Sequence, residues 1–256
     1  MTLPRAAFAG CSALCALACG TATTAPSETL SDPGPRDAAK NEVLELDGVD
    51  DYASVGTARV PQIMRDQTFL LWFRPRGAGS GAAQDLQALF TLRRSDWSGI
   101  VLALDHDVPL AYNVFADREL ARATAPAARG SWHHLAFVVE ASSSTLYLDG
   151  VATVGDVPQT NRTPTQAFIG TLDGYSNLFH GAIDELRLYQ RAFSSAEIQA
   201  LAAGGRPNDT DPSVLYLPFD ERSGARCYDR SGLANHAELG DGEPELMPSR
   251  VFADVP

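Results

Sequence analysis

The stretch Leu146-Tyr147-Leu148-Asp149-Gly150-Val151 runs an apolar strand into an Asp-Gly pair. Asp-Gly takes the positive φ values of a tight primed turn at little cost, so the stretch reads as a β-hairpin tip. Working outward in both directions, the same grammar repeats: short alternating, β-branched or aromatic runs cut by Gly, Pro, Asp and Asn. These runs predict strands at 43–47, 51–55, 67–75, 87–92, 99–104, 110–115, 131–140, 144–149, 165–170, 181–190 and 213–219. Helical signal is confined to one place. Ser194 with Glu197 three positions on is a capping box, Ile198, Leu201 and Ala202 follow it, and Gly204-Gly205 stops the turn. The expected class is all-β: a two-sheet antiparallel sandwich with one short helix near 194–203.

Composition agrees with a folded chain. Of 256 residues, 45% are hydrophobic and 20% charged, enough apolar surface for a sizeable core. A formal charge of −12 repels phosphate backbones and anionic bilayers, so nucleic acid is not an expected partner. Lys40 is the single lysine, which leaves Schiff-base chemistry and a lysine-based phosphate loop almost no candidate.

The first 18 residues have one positive charge, Arg5, followed by a small-residue and apolar stretch too short to span a bilayer, the pattern of an export signal peptide. Cys11, Cys15 and Cys19 fall in or beside it, where a metal or redox cluster is not expected to survive processing. Ala16-Leu17-Ala18-Cys19 resembles the lipobox of bacterial lipoproteins, although that family prefers leucine three residues before the cysteine and Leu17 stands at two. The resemblance implies lipidation at Cys19, with membrane contact only through that anchor; secretory cleavage near Ala18 without a lipid is the alternative. Residues 19–40, rich in Thr, Ser, Ala and Pro, read as a flexible tether, and 41–256 as the folded domain. After processing, Cys227 is the one cysteine outside the N-terminal segment, so an intrachain disulfide framework is excluded.

Four motifs then line up. Leu44-Glu45-Leu46-Asp47-Gly48-Val49-Asp50-Asp51-Tyr52, Phe69-Leu70-Leu71-Trp72-Phe73-Arg74-Pro75, Gly130-Ser131-Trp132-His133-His134-Leu135-Ala136 with its 146–150 hairpin, and Phe179-His180-Gly181-Ala182-Ile183-Asp184-Glu185-Leu186-Arg187-Leu188-Tyr189 resemble the laminin-G-like, pentraxin-like jelly roll of the concanavalin A-like lectin/glucanase superfamily. The resemblance implies two packed antiparallel sheets with rim loops often used for ligands, a fold rather than a job. The ending departs from the family order: Val214 to Glu221, with Asp229-Arg230-Ser231-Gly232 and Asn235-His236, looks like a segment that normally opens such a domain. It is either a truncated second repeat or a permuted strand closing the same sandwich beside 181–190. The second is expected, because Leu215, Leu217 and Phe219 left wet would each cost roughly 1.5–3 kcal/mol.

Catalytic residues are not expected. A glycosidase needs two carboxylates facing one cleft, whereas Asp184-Glu185 and Asp220-Glu221 are consecutive and on a regular strand would point to opposite faces. No Gly-x-Ser-x-Gly elbow, P-loop or dinucleotide fingerprint occurs, and His133-His134 lacks a ligand-spaced histidine partner. Asp47, Asp50 and Asp51 share one turn that could hold structural Ca²⁺ through hard oxygen ligands; the resemblance adds Asp184, whose motif often runs near that turn. The bland alternative is that these aspartates cap turn amides. For ligand stacking and hydroxyl contacts the candidates are Trp97, flanked by turn residues, and Asp173, Tyr175 and Asn177 in the 170–179 loop, while Trp72 and Trp132 sit in strand motifs and are expected in the core. The leading reading is an exported, non-catalytic binding or adhesion module for a glycan or a cell-surface protein. A glycan-active hydrolase or lyase of the same fold, or a purely structural envelope protein, is the alternative.

Overall fold

The computed structural model describes residues 41–60, 66–79, 86–158, 163–208 and 211–256. The expected signal peptide, tether and Cys19 lie outside them. Among the described residues no helix is long and apolar enough to cross a membrane.

The chain forms β1 (Glu42–Asp47), β2 (Ala53–Val55), β3 (Gln67–Pro75), β4 (Leu86–Arg93), β5 (Gly99–Asp105), β6 (Val108–Asn113), β7 (Arg118–Arg122), β8 (His133–Val139), β9 (Ser144–Leu148), β10 (Val151–Gly155), β11 (Gln166–Ile169) and β12 (His180–Tyr189). After these come the helix α1 (Ser195–Ala202) and β13 (Ser213–Leu217), β14 (Arg226–Cys227), β15 (Ala237–Leu239) and β16 (Ser249–Phe252). They build two antiparallel sheets of eight strands each, in the order β10-β9-β8-β3-β12-β1-β16 with β13 also on β12, and β14-β15-β2-β11-β4-β5-β6-β7. This is the all-β sandwich expected from the pattern. Asp149 (φ 51°) and Gly150 (φ 79°) form the hairpin tip, and Ser194 and Glu197 exchange both capping-box hydrogen bonds at α1.

Alternation along each strand sends one set of side chains between the sheets. Phe69, Leu71 and Phe73 of β3 meet Leu135 and Phe137 of β8 and Leu89, Phe90 and Leu92 of β4 there, with the Phe69 ring centred 6.2 Å from Phe137 and 6.4 Å from Phe90. The outer face of the first sheet is covered by α1, whose Ile198 and Leu201 pack on Leu70, Ala136, Val138, Tyr147 and Tyr189.

β12 is long enough to take two strands on one edge. Leu44–Asp47 pair with Ile183–His180, and Leu186–Tyr189 pair with Leu217–Ser213. Between the two halves, pairing with β3 shifts register between Asp184 and Arg187, and Glu185 takes φ 54°, the mark of a β-bulge. Leu215, Leu217 and Phe219 join the main core. The C-terminal segment thus reaches both sheets, through β13 and β16 in the first and β14 and β15 in the second. Sequence patterning did not signal β7, β10, β14, β15 or β16. All are short, and β7, β10, β14 and β16 are end strands of their sheets or are joined to only one partner.

Candidate functional site

Register across the second sheet puts Ser54, Phe168, Thr91, Val101 and Tyr112 side by side on β2, β11, β4, β5 and β6. Cross-strand neighbours share a face, and here it is the outer one, since Ala53, Ala167, Ile169 and Leu92 turn into the core. The 170–179 loop folds back over this face. Thr91 Oγ1 donates to the Thr171 carbonyl at 2.9 Å, and Leu172 packs on Ala88, Val101, Ala103 and Leu110.

Beside that loop the β4–β5 turn is closed by Arg94 N–H to Ser98 O at 2.8 Å and Trp97 N–H to Arg94 O at 3.0 Å, which holds Trp97 at φ 68°. The Arg93 guanidinium lies 3.9 Å from the centre of the Trp97 ring and 5.8 Å from that of Phe168. Its Nε donates to Leu172 O at 3.3 Å and its Nη1 to Arg94 O at 3.1 Å. Burial pulls the Arg93 pKa below the usual arginine value, and the charge of Asp173 works against that pull. On the other side of Phe168, Tyr52 meets its ring edge-on at 6.4 Å. The Tyr52 hydroxyl donates to Asp241 Oδ2 at 2.9 Å, and Ser54 Oγ donates to Asp241 Oδ1. Burial and then Asp241 push the Tyr52 pKa up to about 12, so the phenol stays a donor at neutral pH. Tyr175 stands 78% exposed at the rim. The result is an aromatic ledge: Phe168 as floor, Arg93 and Trp97 at one end, Tyr52, Ser54 and an exposed Asp241 carboxylate at the other.

The structure therefore brings Trp97 and the 170–179 loop together through Arg93, but the loop residues differ in role. Asp173 Oδ1 accepts from Tyr175 N–H, Ser176 N–H and Ser176 Oγ and shapes the loop from within. Asn177 is buried and its Nδ2 donates to Leu86 O at 2.9 Å, which fastens the loop to β4. Arg93, Phe168, Tyr52 and Asp241 were missed in sequence. Phe168 was readable, because in Gln166-Ala167-Phe168-Ile169 it alternates with two core residues.

In the turn that follows β1, Asp47, Asp50 and Asp51 offer carboxylate oxygens within 4.8 Å of one another. Asp47 Oδ1 accepts from Val49 N–H at 2.7 Å, and Asp51 Oδ2 from Asp47 N–H at 2.9 Å, so the turn-capping role is real and occupies only part of the oxygen set. Burial, aided by the charges of Asp47 and Asp50, pushes Asp51 up to about 6. Hard oxygens crowded in this way suit Ca²⁺. Asp184 does not belong to the set: Asp47 pairs with His180, four positions earlier on β12, about 13 Å away at strand rise. The Asp184 side chain is buried and accepts from Asn41 Nδ2 at 3.0 Å. Asp51 is the third carboxylate, because the turn folds back on β1.

A family model described as the concanavalin A-like lectin/glucanases superfamily matches residues 47–199. The chain belongs to this superfamily. No curated protein matches it in sequence. Among solved structures it is similar to a candidate carbohydrate-binding protein of Bacteroides ovatus, with 14% identity and a TM-score of 0.62 over 85% of this chain and 61% of that one. It also resembles the heptameric SAP-like pentraxin of Limulus polyphemus, with 12% identity and a TM-score of 0.57 over 80% and 97% of the two chains. Domain 4 of the GH43 extracellular arabinanase AbnA of Geobacillus stearothermophilus, solved with arabinotriose, is 22% identical with a TM-score of 0.52 over 62% and 76%. The chain spans under two thirds of the Bacteroides protein, and at these identities the likeness is one of fold.

Within a superfamily that includes glucanases, paired carboxylates decide what chemistry is open. The bulge at Asp184-Glu185 breaks the strict alternation that sequence reasoning relied on. What separates the two carboxylates is their partners: Asp184 is buried against Asn41, while Glu185 is ion-paired with Arg187 at 2.6 Å and accepts from Tyr216 Oη. Glu221 is held by Arg250 at 3.1 Å. His133 Nδ1 lies 2.7 Å from Asp149, and His134 is buried edge-on to Trp72 at 5.1 Å. Trp72 is buried, as its strand motif leads one to expect, and Trp132 is not. Trp132, half-buried, sits under the Arg74 guanidinium at 5.0 Å on the outer face of the first sheet.

Proposed function

We propose that this chain is an exported, non-catalytic module that binds glycan chains at the cell surface through the Phe168–Trp97–Tyr175 ledge. The observation that carries the reading is the combination at one place of aromatic faces with an exposed carboxylate, Asp241, already oriented by two hydroxyl donors. Aromatic faces stack on the C–H surface of a pyranose, and an oriented carboxylate accepts sugar hydroxyls. The arabinotriose complex of a similarly folded domain supports the choice of glycan over a surface protein. Asp47, Asp50 and Asp51 hold a structural Ca²⁺ in this reading, and Cys19 carries a lipid anchor.

The test is a glycan array probed with wild type and Trp97→Ala, both checked for intact thermal unfolding. Binding to a defined set of oligosaccharides that drops at least about tenfold in the variant is expected, roughly 1.4 kcal/mol of stacking. An array with no hits, or hits indifferent to Trp97, would overturn it. For the anchor, Cys19→Ser is expected to move the protein from the membrane to the soluble fraction, and a variant that still sediments with membranes after a high-salt wash refutes lipidation there.

A further inference from the structure

Arg93 is anomalous where it stands. Only 5% exposed, it gives two donors to backbone carbonyls and stacks between Trp97 and Phe168, yet among the described residues it makes no ion pair, and Nη2 has no hydrogen-bond partner. The neighbouring carboxylates direct their hydrogen bonds elsewhere. Asp173 Oδ1 takes three donors of its own loop, Asp96 lies 3.6 Å from Arg94 and accepts from Ser98, and Asp241 accepts from Tyr52 and Ser54. The Asp173 charge acts on Arg93 without contacting it, so this largely buried guanidinium lacks the directly hydrogen-bonded carboxylate that ordinarily offsets the burial of a charge. Arg93 is also fixed in place: its two carbonyl bonds and two aromatic faces leave the Nη2 edge with little freedom to lose on binding.

We propose that the ledge takes an anionic sugar, its carboxylate meeting the Nη2 edge of Arg93 while its ring lies over Phe168 and its hydroxyls reach Asp241. The inference rests on the glycan-binding reading and narrows it to acidic glycans. Phe168 is flanked by Arg93 on the β4 side and by Ser54 and Asp241 on the β2 side, so one sugar has a cation at one end and a hydroxyl acceptor at the other. A neutral sugar would satisfy the second group only. The polarity of the ledge also sets the orientation: the acid end must face β4, because at the β2 end it would confront the Asp241 carboxylate.

The experiment is calorimetric titration of the full chain with oligogalacturonate, oligomannuronate and oligoglucuronate, each beside its carboxyl-reduced neutral counterpart and a sulfated galacto-oligosaccharide. At least one uronate is expected to bind about tenfold or more tightly than its reduced form, with an advantage that shrinks as salt rises. That advantage should vanish in Arg93→Gln and persist in part in Arg93→Lys, which keeps the charge. If Arg93→Gln fails to fold, the acid-to-neutral ratio in wild type decides by itself. Sulfated sugar bound as well as uronate shows that the anion, and not the carboxylate as such, is recognised, which supports the inference in its general form. Neutral sugars bound in a Trp97-dependent way with no preference for acid overturn it and leave the glycan reading standing. No binding by any sugar, acidic or neutral, overturns both.

Discussion

His133 and His134 are neighbours on one strand and answer pH in opposite senses. Its hydrogen bond to Asp149 raises the His133 pKa, so its contribution to stability is present below about pH 6.5 and is lost as pH rises through the folded value. Burial lowers His134 from 6.5 to about 4; the unfolded chain then binds the proton more readily, and stability is lost as pH falls from about 6.5 toward 4. Between pH 7 and pH 5 the His134 effect comes to roughly 2 kcal/mol. His134→Phe keeps a ring against Trp72 and removes the titration, so the difference in urea-unfolding free energy between pH 7 and pH 5 should be smaller in the variant by about that amount; equal differences would refute it. Asp51 gives a second residue-scale prediction. If Ca²⁺ sits among Asp47, Asp50 and Asp51, saturating calcium should raise the melting temperature and a chelator should lower it, the stabilisation reaching about 4 kcal/mol at a thousandfold excess of free ion over the dissociation constant. Asp51→Asn, which keeps an acceptor for the Asp47 amide and removes one of three crowded charges, should be more stable than wild type without calcium and should lose the response; an unchanged response disproves the site. These residues also show where sequence stops. Phe168 betrays itself by alternation, but Arg93 sits in Thr91-Leu92-Arg93-Arg94-Ser95 and reads as a wetted strand end. Its burial comes from a loop far along the chain, through Leu172 and Asp173, and strand periodicity carries no trace of that contact.

Among the elements, the longer apolar strands wrote themselves into the sequence, and those that did not are strands of two to five residues, most of them at sheet edges. β3, β8 and β12 are long, apolar and central in the first sheet, whereas β7 reads Arg118-Glu119-Leu120-Ala121-Arg122 and is a strand because β6 pairs with it. β10 follows the Asp-Gly turn with no clear alternation, since Val151 and Val154 remain 61% and 74% exposed at the sheet edge. The contrast is measurable. Leu217→Ala in β13, where the side chain is fully buried opposite Leu186, should cost about 2–5 kcal/mol. Val154→Lys at the edge should change stability by no more than about 0.5 kcal/mol while placing a charge that discourages strand addition. Comparable losses in the two variants would mean that the sheet edge is buried in solution or that β13 frays.

For the whole molecule the informative boundary is the end of the superfamily match at residue 199, because the chain beyond it does not behave as an appendage. β13 fills the half of the β12 edge that β1 leaves open, β16 pairs with β1, and β14–β15 extend the second sheet past β2. Arg250 pins the segment to itself, reaching Glu221 Oε2 at 3.1 Å and the Arg226 carbonyl at 3.0 Å, and Asp241 delivers one end of the ledge to Tyr52 and Ser54. The sequence already made this ending look like an opening segment moved to the back, and three apolar side chains that could not be left wet carried that argument. Removing residues 213–256 should therefore act at two levels. It exposes the core face once covered by Leu215, Leu217 and Phe219 and unpairs edges on both sheets, so the shortened chain is expected to aggregate or to unfold far below the full-length protein. Supplying residues 211–256 as a separate peptide should restore soluble, cooperative unfolding, since β-strand addition to an open edge recovers the lost backbone pairing. A truncated protein that melts cooperatively at the full-length temperature would show that 41–205 is a domain by itself. In that event sugar binding, measured on the same truncated protein, would still report on Asp241: affinity unchanged without the segment would remove that residue from the ledge, and affinity lost with the fold intact would keep it there.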